Sequence, residues 1–265
     1  MIQEWAAVSR GARATMAAFI SLGAEGRSIV LAGVLFDLDG TLLEIDLDAF
    51  LRDYFAALGP VVAEVMGTGA SVEVALQAVM TSTEAMTLPH ADTTNREAFN
   101  ATFRRLTGTD LDLDEYALPF ERFYAEVFPT LRGKMVPRAG AREAVETALS
   151  LGLKVAIATN PIFPLSAIRE RMRWAHIEDL HVQVITSYET MHATKPLSGY
   201  YSQTADMLGV DPRNCLMVGD DRTLDMAAAD VGMRTFYVGN APIPTADYSG
   251  STADVASLIE RLVSI

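Results

Sequence analysis

The chain has 265 residues, of which 50% are hydrophobic and 21% are charged, and its formal net charge is −13. This length suits one domain with a large insertion or two small domains, and it can bury a sizeable core. The composition is typical of a soluble globular protein. The excess negative charge disfavours nucleic acids and anionic membrane surfaces as partners. It does not exclude a small phosphate ester, because a metal ion and a lysine can invert the local field.

Cysteine content and hydropathy bear on the cellular compartment. Cys215 is the only cysteine in the sequence, so no disulfide can form within the chain, and we expect a cytoplasmic location. Cys215 begins an apolar run, which favours a small buried hydrophobe over a catalytic thiol. No apolar stretch reaches transmembrane length, and the apolar segment 14–22 lacks the preceding basic region of a signal peptide.

Residues 1–28 precede the first predicted strand and carry a helical pattern. Three interpretations are open: a helix docked on the body, a helix that binds a partner, or a disordered leader. We favour the docked helix. The apolar residues at helical spacing are Trp5, Val8, Ala12, Met16, Phe19 and Ile20.

The segment 34–42 reads VLFDLDGTL, an apolar run that ends in two carboxylates, Asp37 and Asp39, and a Gly-Thr turn. A buried strand with this exit places both acids at the carboxyl edge of a parallel sheet, where such sheets bind ligands. Two acids there repel each other unless a cation lies between them, which indicates Mg²⁺ held by hard oxygens. A strand followed by an Asx turn explains the motif equally well when it is considered alone.

A helical pattern follows this strand. Residues 42–47 alternate apolar and acidic residues, which predicts a short hairpin or flap. Helices are predicted over 72–86 and 94–106, the second capped by Asp92 or Thr93. Two aromatic stripes are more typical of a bundle core than of a ligand platform, at roughly four to one. The stripes include Phe50, Tyr54 and Phe55, and Phe120, Phe123, Tyr124 and Phe128.

Strands then alternate with helices, which favours a parallel, doubly wound α/β sheet. Gly133 and Pro137 mark the return from the helical region. Besides the first strand, strands are predicted over 154–159, 182–186, 215–218 and 235–238. Helices are predicted over 138–151, 166–174, 200–208, 224–231 and 253–263.

Three further polar motifs end or follow these runs in a fixed order. Thr159 and Asn160 end the second strand, Lys195 precedes a proline, and Gly219 begins a Gly-Asp-Asp loop. Together with the first motif, they resemble the four motifs of the haloacid dehalogenase superfamily of phosphohydrolases. Those motifs are an Asp-x-Asp-x-Thr loop, a Ser/Thr, a Lys and a Gly-Asp loop with a later Asp. Four matches in order are far more specific than any one of them.

The resemblance implies a doubly wound α/β core with an inserted all-helical cap of type 1. The core would comprise residues 29–46 and 136–265, and the helical cap would comprise residues 47–135. Residues 1–28 would form a helical extension. Such a cap closes over the active site, excludes water and carries substrate selectivity.

The resemblance also implies catalytic roles. Asp37 would be the nucleophile that forms an aspartyl-phosphate, and Asp39 the general acid/base. Thr159 would donate a hydroxyl to a phosphoryl oxygen. Lys195 would reduce the repulsion between the phosphoryl group and Asp37. Thr41 would bind phosphate together with backbone amides of the first loop.

Two further sets of residues complete the implied site. Mg²⁺ would be held by the Asp37 carboxylate, the Asp39 backbone carbonyl and Asp220. The spacing after Gly219 favours Asp225 over Asp221 as a supporting acid, and Asp221 suits a helix cap as well. Asn160 would orient the substrate. His192 either contacts substrate or caps a loop.

These roles predict Mg²⁺-dependent hydrolysis of a small phosphorylated metabolite. Asp39 argues against dehalogenases and phosphonatases of the superfamily, which lack an acid at that position. A phosphomutase stays open because it uses the same two aspartates. A non-catalytic phosphate-binding or regulatory protein is disfavoured, because a decayed member should have lost Asp37, Asp39 or Lys195. The sequence predicts no nucleic-acid or membrane partner.

Overall fold

The computed structural model describes residues 30–67, 69–90, 92–113 and 117–264. The helix predicted within residues 1–28 lies outside the described residues. Within the described ranges, none of the helices combines the length and the apolar character needed to cross a membrane.

Within the described residues, eight strands form two sheets, and six of these strands make the parallel sheet of the core. From one edge to the other, the order of the large sheet is β5-β4-β1-β6-β7-β8, and all neighbouring strands pair in parallel. This order confirms the predicted doubly wound fold. The strands are β1 (Gly33–Phe36), β2 (Leu43–Glu44), β3 (Val136–Pro137), β4 (Lys154–Ile157), β5 (Val184–Ile185), β6 (Cys215–Gly219), β7 (Arg234–Val238) and β8 (Tyr248–Gly250).

The α-helices divide between the region before β3 and the core. The last helix before β3 continues into a π turn over Phe123–Val127 and a 3₁₀ turn over Phe128–Arg132. The helices before β3 are α1 (Leu47–Met66), α2 (Val72–Thr87), α3 (Asn95–Thr107) and α4 (Ala117–Arg122). Those of the core are α5 (Ala141–Ser150), α6 (Leu165–Trp174), α7 (Ser198–Leu208) and α8 (Val255–Val263).

For residues 42–47 the sequence predicts a short hairpin or a flap, and the structure contradicts the hairpin. β2 pairs antiparallel with β3, at the far end of the helical segment, so a hairpin within residues 42–47 is wrong. The chain therefore leaves and re-enters the core through one two-stranded ribbon, with α1 to α4 between its strands. The extent of the helical cap as a domain stays a prediction.

Three further elements differ from the sequence predictions. β8 was not predicted, because it is a three-residue edge strand that is only partly buried. The helix predicted over 224–231 is a 3₁₀ turn, Met226–Val231. Helix α3 is capped by Thr94, and not by Asp92 or Thr93. Thr94 and Glu97 form a capping box, in which the backbone nitrogen of each residue donates to the side chain of the other.

The aromatic stripes pack the helical cap onto the core. Phe50 and Phe128 are 2% and 0% exposed, and the ring of Phe128 stacks on Trp174 of α6, with centroids 5.5 Å apart. Tyr54 lies against Phe163, which follows β4, at 5.2 Å between centroids. Burial of aromatic rings is the main stabilising contribution expected at this contact. The cap therefore rests directly on the helix and loop that follow β4.

Candidate active site

The chain leaves β1 in a tight turn that brings its carboxylates to the edge of the sheet. Asp37 continues the strand, and its backbone nitrogen donates to the Val218 carbonyl at 2.9 Å. Gly40 has φ +85°, and any side chain there would collide with the Asp220 carboxylate. The turn therefore allows the loop after β1 to approach the loop after β6 closely.

Lys195 joins two of the predicted acids. Its Nζ donates to Asp37 Oδ1 at 2.8 Å and to Asp225 Oδ1 at 2.6 Å. The Lys195 side chain is 1% exposed. The three residues come from β1, from the loop before α7 and from the start of the 3₁₀ turn after β6. The fold thus brings together side chains that lie far apart in the sequence.

Asp37, Asp220 and Asp225 form what we call the acidic cluster, with one carboxylate oxygen of each within 4.8 Å of the others. Burial raises the pKa of Asp37 well above its usual value; Lys195 opposes this shift, and the other two acids reinforce it. Burial and the nearby Asp225 also raise the pKa of Asp220. Lys195 and the nearby Arg138 supply two positive charges against three carboxylates, so negative charge remains in excess.

The acidic cluster fits Mg²⁺. The ion prefers hard oxygen ligands and is usually held by one or two carboxylates, with water completing the shell. Burial is the main cause of the raised pKa of Asp37 and Asp220, and repulsion between the acids adds to it. A divalent cation among these oxygens would offset that repulsion. Asp225 is the least available of the three acids for direct metal binding. One of its oxygens accepts from Lys195, and the other accepts from the Asp221 backbone nitrogen at 2.9 Å. It suits a supporting position behind the ligands.

Thr41 lies beside this cluster. Its hydroxyl donates to Asp220 Oδ1 at 3.0 Å, and its carbonyl accepts from the Thr252 hydroxyl at 2.8 Å. These bonds link the loop after β1 to the loop after β6 and to the chain before α8. Thr41 is therefore within reach of any group bound at the acidic cluster.

Thr159 and Asn160 follow β4 at the same edge of the sheet. The carbonyl of Thr159 accepts from the hydroxyls of Thr186 and Tyr200, at 2.8 and 2.9 Å. Asn160 Oδ1 accepts from the backbone nitrogen of Lys195 at 3.2 Å. Asn160 thus fixes the loop that carries the lysine, in addition to its predicted role with substrate.

Arg171 of α6 is a residue that the motif analysis missed. Its guanidinium forms an ion pair with Asp39 and lies 4.6 Å from the Phe163 ring centroid. Its side chain is 1% exposed. Arg171 Nε and Nη2 and Asp39 Oδ1 are buried with no hydrogen-bond partner among the described residues. The available signal was an arginine three residues after Ile168, on the apolar face of the helix.

The two undecided residues have structural contacts. The Asp221 carboxylate accepts from the backbone nitrogens of Thr223 and Leu224, at 2.7 and 2.8 Å, as a capping residue does. The backbone nitrogen of His192 donates to the Gln203 side chain at 3.0 Å. A capping role therefore accounts for Asp221, whereas a substrate contact by His192 stays a prediction.

An acidic cluster and a buried lysine at the carboxyl edge of a doubly wound sheet, under a helical cap, define a class of α/β hydrolytic enzymes. The model of the family described as haloacid dehalogenase-like hydrolases matches residues 31–231. The chain belongs to this family. The resemblance inferred from the four motifs is thereby confirmed.

Individual relatives agree with this assignment. The chain is 36% identical over 114 residues to Phosphatase MT3486 of Mycobacterium tuberculosis, a match over 43% of this chain and 48% of that protein. The match thus spans about half of the relative's length. The fold is similar to a haloacid dehalogenase phosphatase from Thermococcus onnurineus, with TM-score 0.52, 21% identity, and 86% and 97% of the two chains covered. It is also similar to CbbY from Rhodobacter sphaeroides in complex with phosphate, with TM-score 0.53, 21% identity, and 85% and 96% covered.

Proposed function

We propose that the protein is a Mg²⁺-dependent phosphatase that hydrolyses a small phosphorylated metabolite through an aspartyl-phosphate on Asp37. The observation that carries the proposal is the contact of Lys195 Nζ with both Asp37 and Asp225, beside Asp220. Membership of the hydrolase family and the phosphatase relative support it. We also propose a cytoplasmic location, because a chain with a single cysteine forms no internal disulfide and fits a reducing compartment.

Binding must overcome the repulsion between a phosphate ester and the acidic cluster. The Asp37 carboxylate, the Asp39 carbonyl and Asp220 would hold Mg²⁺, with Asp225 as a supporting acid. When bound, Mg²⁺ supplies positive charge to the phosphoryl oxygens and to the Asp37 carboxylate. Lys195 adds a fixed positive charge on the other side of Asp37.

The first chemical step transfers the phosphoryl group to the enzyme. An Asp37 carboxylate oxygen attacks phosphorus, the bond to the ester oxygen breaks, and that oxygen takes a proton from Asp39. The hydroxyls of Thr41 and Thr159 donate to the phosphoryl oxygens as the group moves. The alcohol then leaves, and the aspartyl-phosphate stays on the enzyme.

The second step releases phosphate. Asp39, now a carboxylate, takes a proton from water, and the water oxygen attacks phosphorus of the aspartyl-phosphate. The bond between phosphorus and the Asp37 oxygen breaks, which restores the carboxylate. Inorganic phosphate leaves, and the proton stays on Asp39 for the next cycle.

Arg171 acts in both steps as a positioning residue. It reaches the substrate only through Asp39, which it holds by an ion pair when Asp39 is a carboxylate and by a hydrogen bond when Asp39 carries its proton. The Arg171 side chain is 1% exposed and that of Asp39 16%, so the contact is largely shielded from water and restricts the direction of the Asp39 side chain. Arg171 therefore limits Asp39 to a small range of orientations.

The direct test compares the Asp37→Asn variant with the parent on p-nitrophenyl phosphate. We expect the parent to require Mg²⁺ and to lose activity with a chelator, and we expect the variant to lose at least about 10³-fold in kcat. Asp48→Asn is the matched control, because Asp48 is exposed at the start of α1. Equal rates for the parent and Asp37→Asn would overturn the proposal.

A further inference from the structure

A cavity of about 570 Å³ lies between α1, α2, α3 and α4 of the helical cap and the loop that follows β4. We call it the cap cavity. Its volume is in the range of small-molecule sites, whereas packed protein interiors contain few voids larger than a water molecule. Its walls are mainly apolar and aromatic, and they include Leu58, Val79, Phe99, Phe103 and Phe120.

Several polar side chains at the cavity wall already have partners. Asp112 accepts from Arg96 Nη2 at 3.0 Å and from Asn100 Nδ2 at 2.6 Å. The hydroxyls of Tyr54 and Tyr124 lie 2.9 Å apart and bond to each other. Hydroxyl groups of a ligand would therefore compete with these existing bonds, whereas apolar groups would not.

The segment after β4 connects the cap cavity to the proposed phosphoryl site. One short segment carries Thr159 and Asn160 at its start and the cavity residues Ile162, Phe163 and Pro164 at its end. The ring of Phe163 also lies against Arg171, which pairs with Asp39. The cavity wall is thus linked to the proposed general acid through two side-chain contacts, from Phe163 to Arg171 and from Arg171 to Asp39.

We propose that the cap cavity receives the organic group of the substrate, so that the enzyme selects phosphate monoesters of apolar alcohols, aromatic or aliphatic, over those of polyols such as sugars. This inference rests on the proposed phosphatase function. Its physical basis is the transfer of apolar surface from water into an apolar cavity of sufficient size. Sugar phosphates, the substrates expected of a phosphomutase, are disfavoured for the same reason.

The first experiment measures kcat/KM for n-alkyl phosphates from ethyl to hexyl, for phenyl phosphate, and for glycerol 3-phosphate and glucose 6-phosphate. We expect a gain of about fourfold per methylene group, and polyol phosphates at least about 10²-fold below hexyl phosphate. A flat series, or a preference for polyols, would overturn the inference while leaving the phosphatase function intact. If the cavity does not accept the organic group because something else fills it, kcat/KM will not depend on alkyl chain length, and this result also overturns the inference.

Hydrolysis of none of these esters in the presence of Mg²⁺ would overturn the proposed function instead. Binding then decides the inference separately, by calorimetry with hexylphosphonate and methylphosphonate. We expect at least a tenfold tighter complex with hexylphosphonate, since several methylene groups leave water. Equal affinities would contradict the inference whatever the activity.

Variants that fill the cavity give the second experiment. Val79 and Thr83 of α2 line the cavity, and phenylalanine at either position would occupy part of it. We expect Val79→Phe to lower kcat/KM about tenfold or more for hexyl phosphate and clearly less for ethyl phosphate, so that the gain with chain length becomes smaller. Thr83→Phe serves the same purpose if Val79→Phe fails to fold. Unchanged selectivity in a folded variant would overturn the inference.

The matched control is Val74→Phe. Val74 lies on the same helix but is 56% exposed and is not part of the cavity wall. This variant should show the same increase of kcat/KM with alkyl chain length as the parent. A change in selectivity as large as that of Val79→Phe would show that bulk on α2 acts without filling the cavity, and it would overturn the inference.

Discussion

The acidic cluster and the cap cavity are neighbouring regions built on opposite principles. The cluster gathers carboxylates that are buried or partly buried, and two of them, Asp37 and Asp225, accept short hydrogen bonds from Lys195. The cavity is bounded by apolar side chains and by polar groups that satisfy one another. The first region suits a reaction common to many phosphate esters, whereas the second suits the choice among them.

The difference also shows how each region tolerates change. Charges in a cluster depend on one another, so the loss of one partner leaves another buried and unpaired. Apolar walls act nearly additively, so one substitution changes the affinity for a ligand gradually. We therefore expect all-or-none effects in the cluster and graded effects in the cavity.

The largest effect is expected from Lys195→Met. Asp37 and Asp225 would both lose their buried partner, which should lower the free energy of unfolding by about 3–5 kcal/mol. The specificity constant should fall roughly 10³-fold, because Lys195 no longer offsets the charge on Asp37. Urea unfolding and steady-state kinetics measure the two quantities.

Lys134→Met is the control for this prediction, because Lys134 is exposed near the return to the core. Its stability should stay within about 0.5 kcal/mol of the parent. If both lysine variants behaved alike, the central position given to Lys195 would be contradicted.

Arg171→Met should have the next largest effect, and one that depends on the leaving group. The kcat/KM for an alkyl phosphate should fall about 10²–10⁴-fold, since its leaving oxygen needs the proton that Asp39 delivers. The kcat/KM for p-nitrophenyl phosphate should fall much less, because this constant reports the first step and the leaving group is activated. Kinetics across a leaving-group series measures the difference.

Arg173→Met is the matched control, because Arg173 lies on the same helix with a side chain 59% exposed. Arg173→Met should show the same dependence of kcat/KM on the leaving group as the parent. If Arg171→Met fails to fold, Arg171→Lys carries the same test. Equal losses on both kinds of substrate would indicate a merely structural role for Arg171.

Asn95→Ala tests the junction between the two regions. Asn95 begins α3, and its Nδ2 donates to the carbonyls of Pro161 and Ala193 at 2.9 and 3.3 Å. Its loss should lower the free energy of unfolding by about 1–3 kcal/mol, because those buried carbonyls lose a donor. Turnover of ethyl phosphate should fall too, since the loops on either side carry Asn160 and Lys195.

Asn100→Ala provides the comparison, because Asn100 is buried on the same helix but bonds to Asp112 within the cap. It should cost a similar free energy and leave the turnover of ethyl phosphate near that of the parent. Thermal or urea unfolding beside kinetics checks both variants. Turnover that fell equally in the two would show that the junction has no special role.

The smallest effect concerns alkaline pH and the cap. Burial raises the pKa of Tyr54 to about 12, whereas the unfolded residue loses its proton near about pH 10. The stabilisation is therefore complete below the unfolded pKa and is lost as the pH rises toward the folded one, by about 1 kcal/mol per pH unit. Urea unfolding at a series of pH values from about 8 to 12 measures this loss of stability. Tyr54→Phe should make the slope shallower, and an unchanged slope would contradict the assignment.

Much of the fold was predictable from the sequence, because its central strands are continuous apolar runs. β1 and β6 are fully buried, and burial on both faces produces that pattern. β8 was missed because an edge strand with a glycine and partly exposed residues lacks it. The cap of α3 at Thr94 was readable from the capping box with Glu97, but the preceding Asp92 and Thr93 offered equivalent signals.

The candidate site was predictable to a different extent in its two regions. Asp37, Lys195 and Asp220 stand in short motifs, where neighbouring residues reveal them. Arg171 stands in no motif, and its pairing with Asp39 depends on how α6 packs. The cap cavity was not foreseen at all, because a helix face that lines a cavity has the same periodicity as one that fills a core.

Trapping the covalent intermediate tests the central claim most directly. The Asp39→Asn variant should still accept the phosphoryl group of p-nitrophenyl phosphate but should hydrolyse the aspartyl-phosphate slowly, since no base activates water. After acid quenching, mass spectrometry should find one phosphoryl group on the peptide that contains Asp37, and none when Asp37 is also changed to Asn. An enzyme that turned over this substrate with no phosphoryl group on that peptide, or with one elsewhere, would contradict the account.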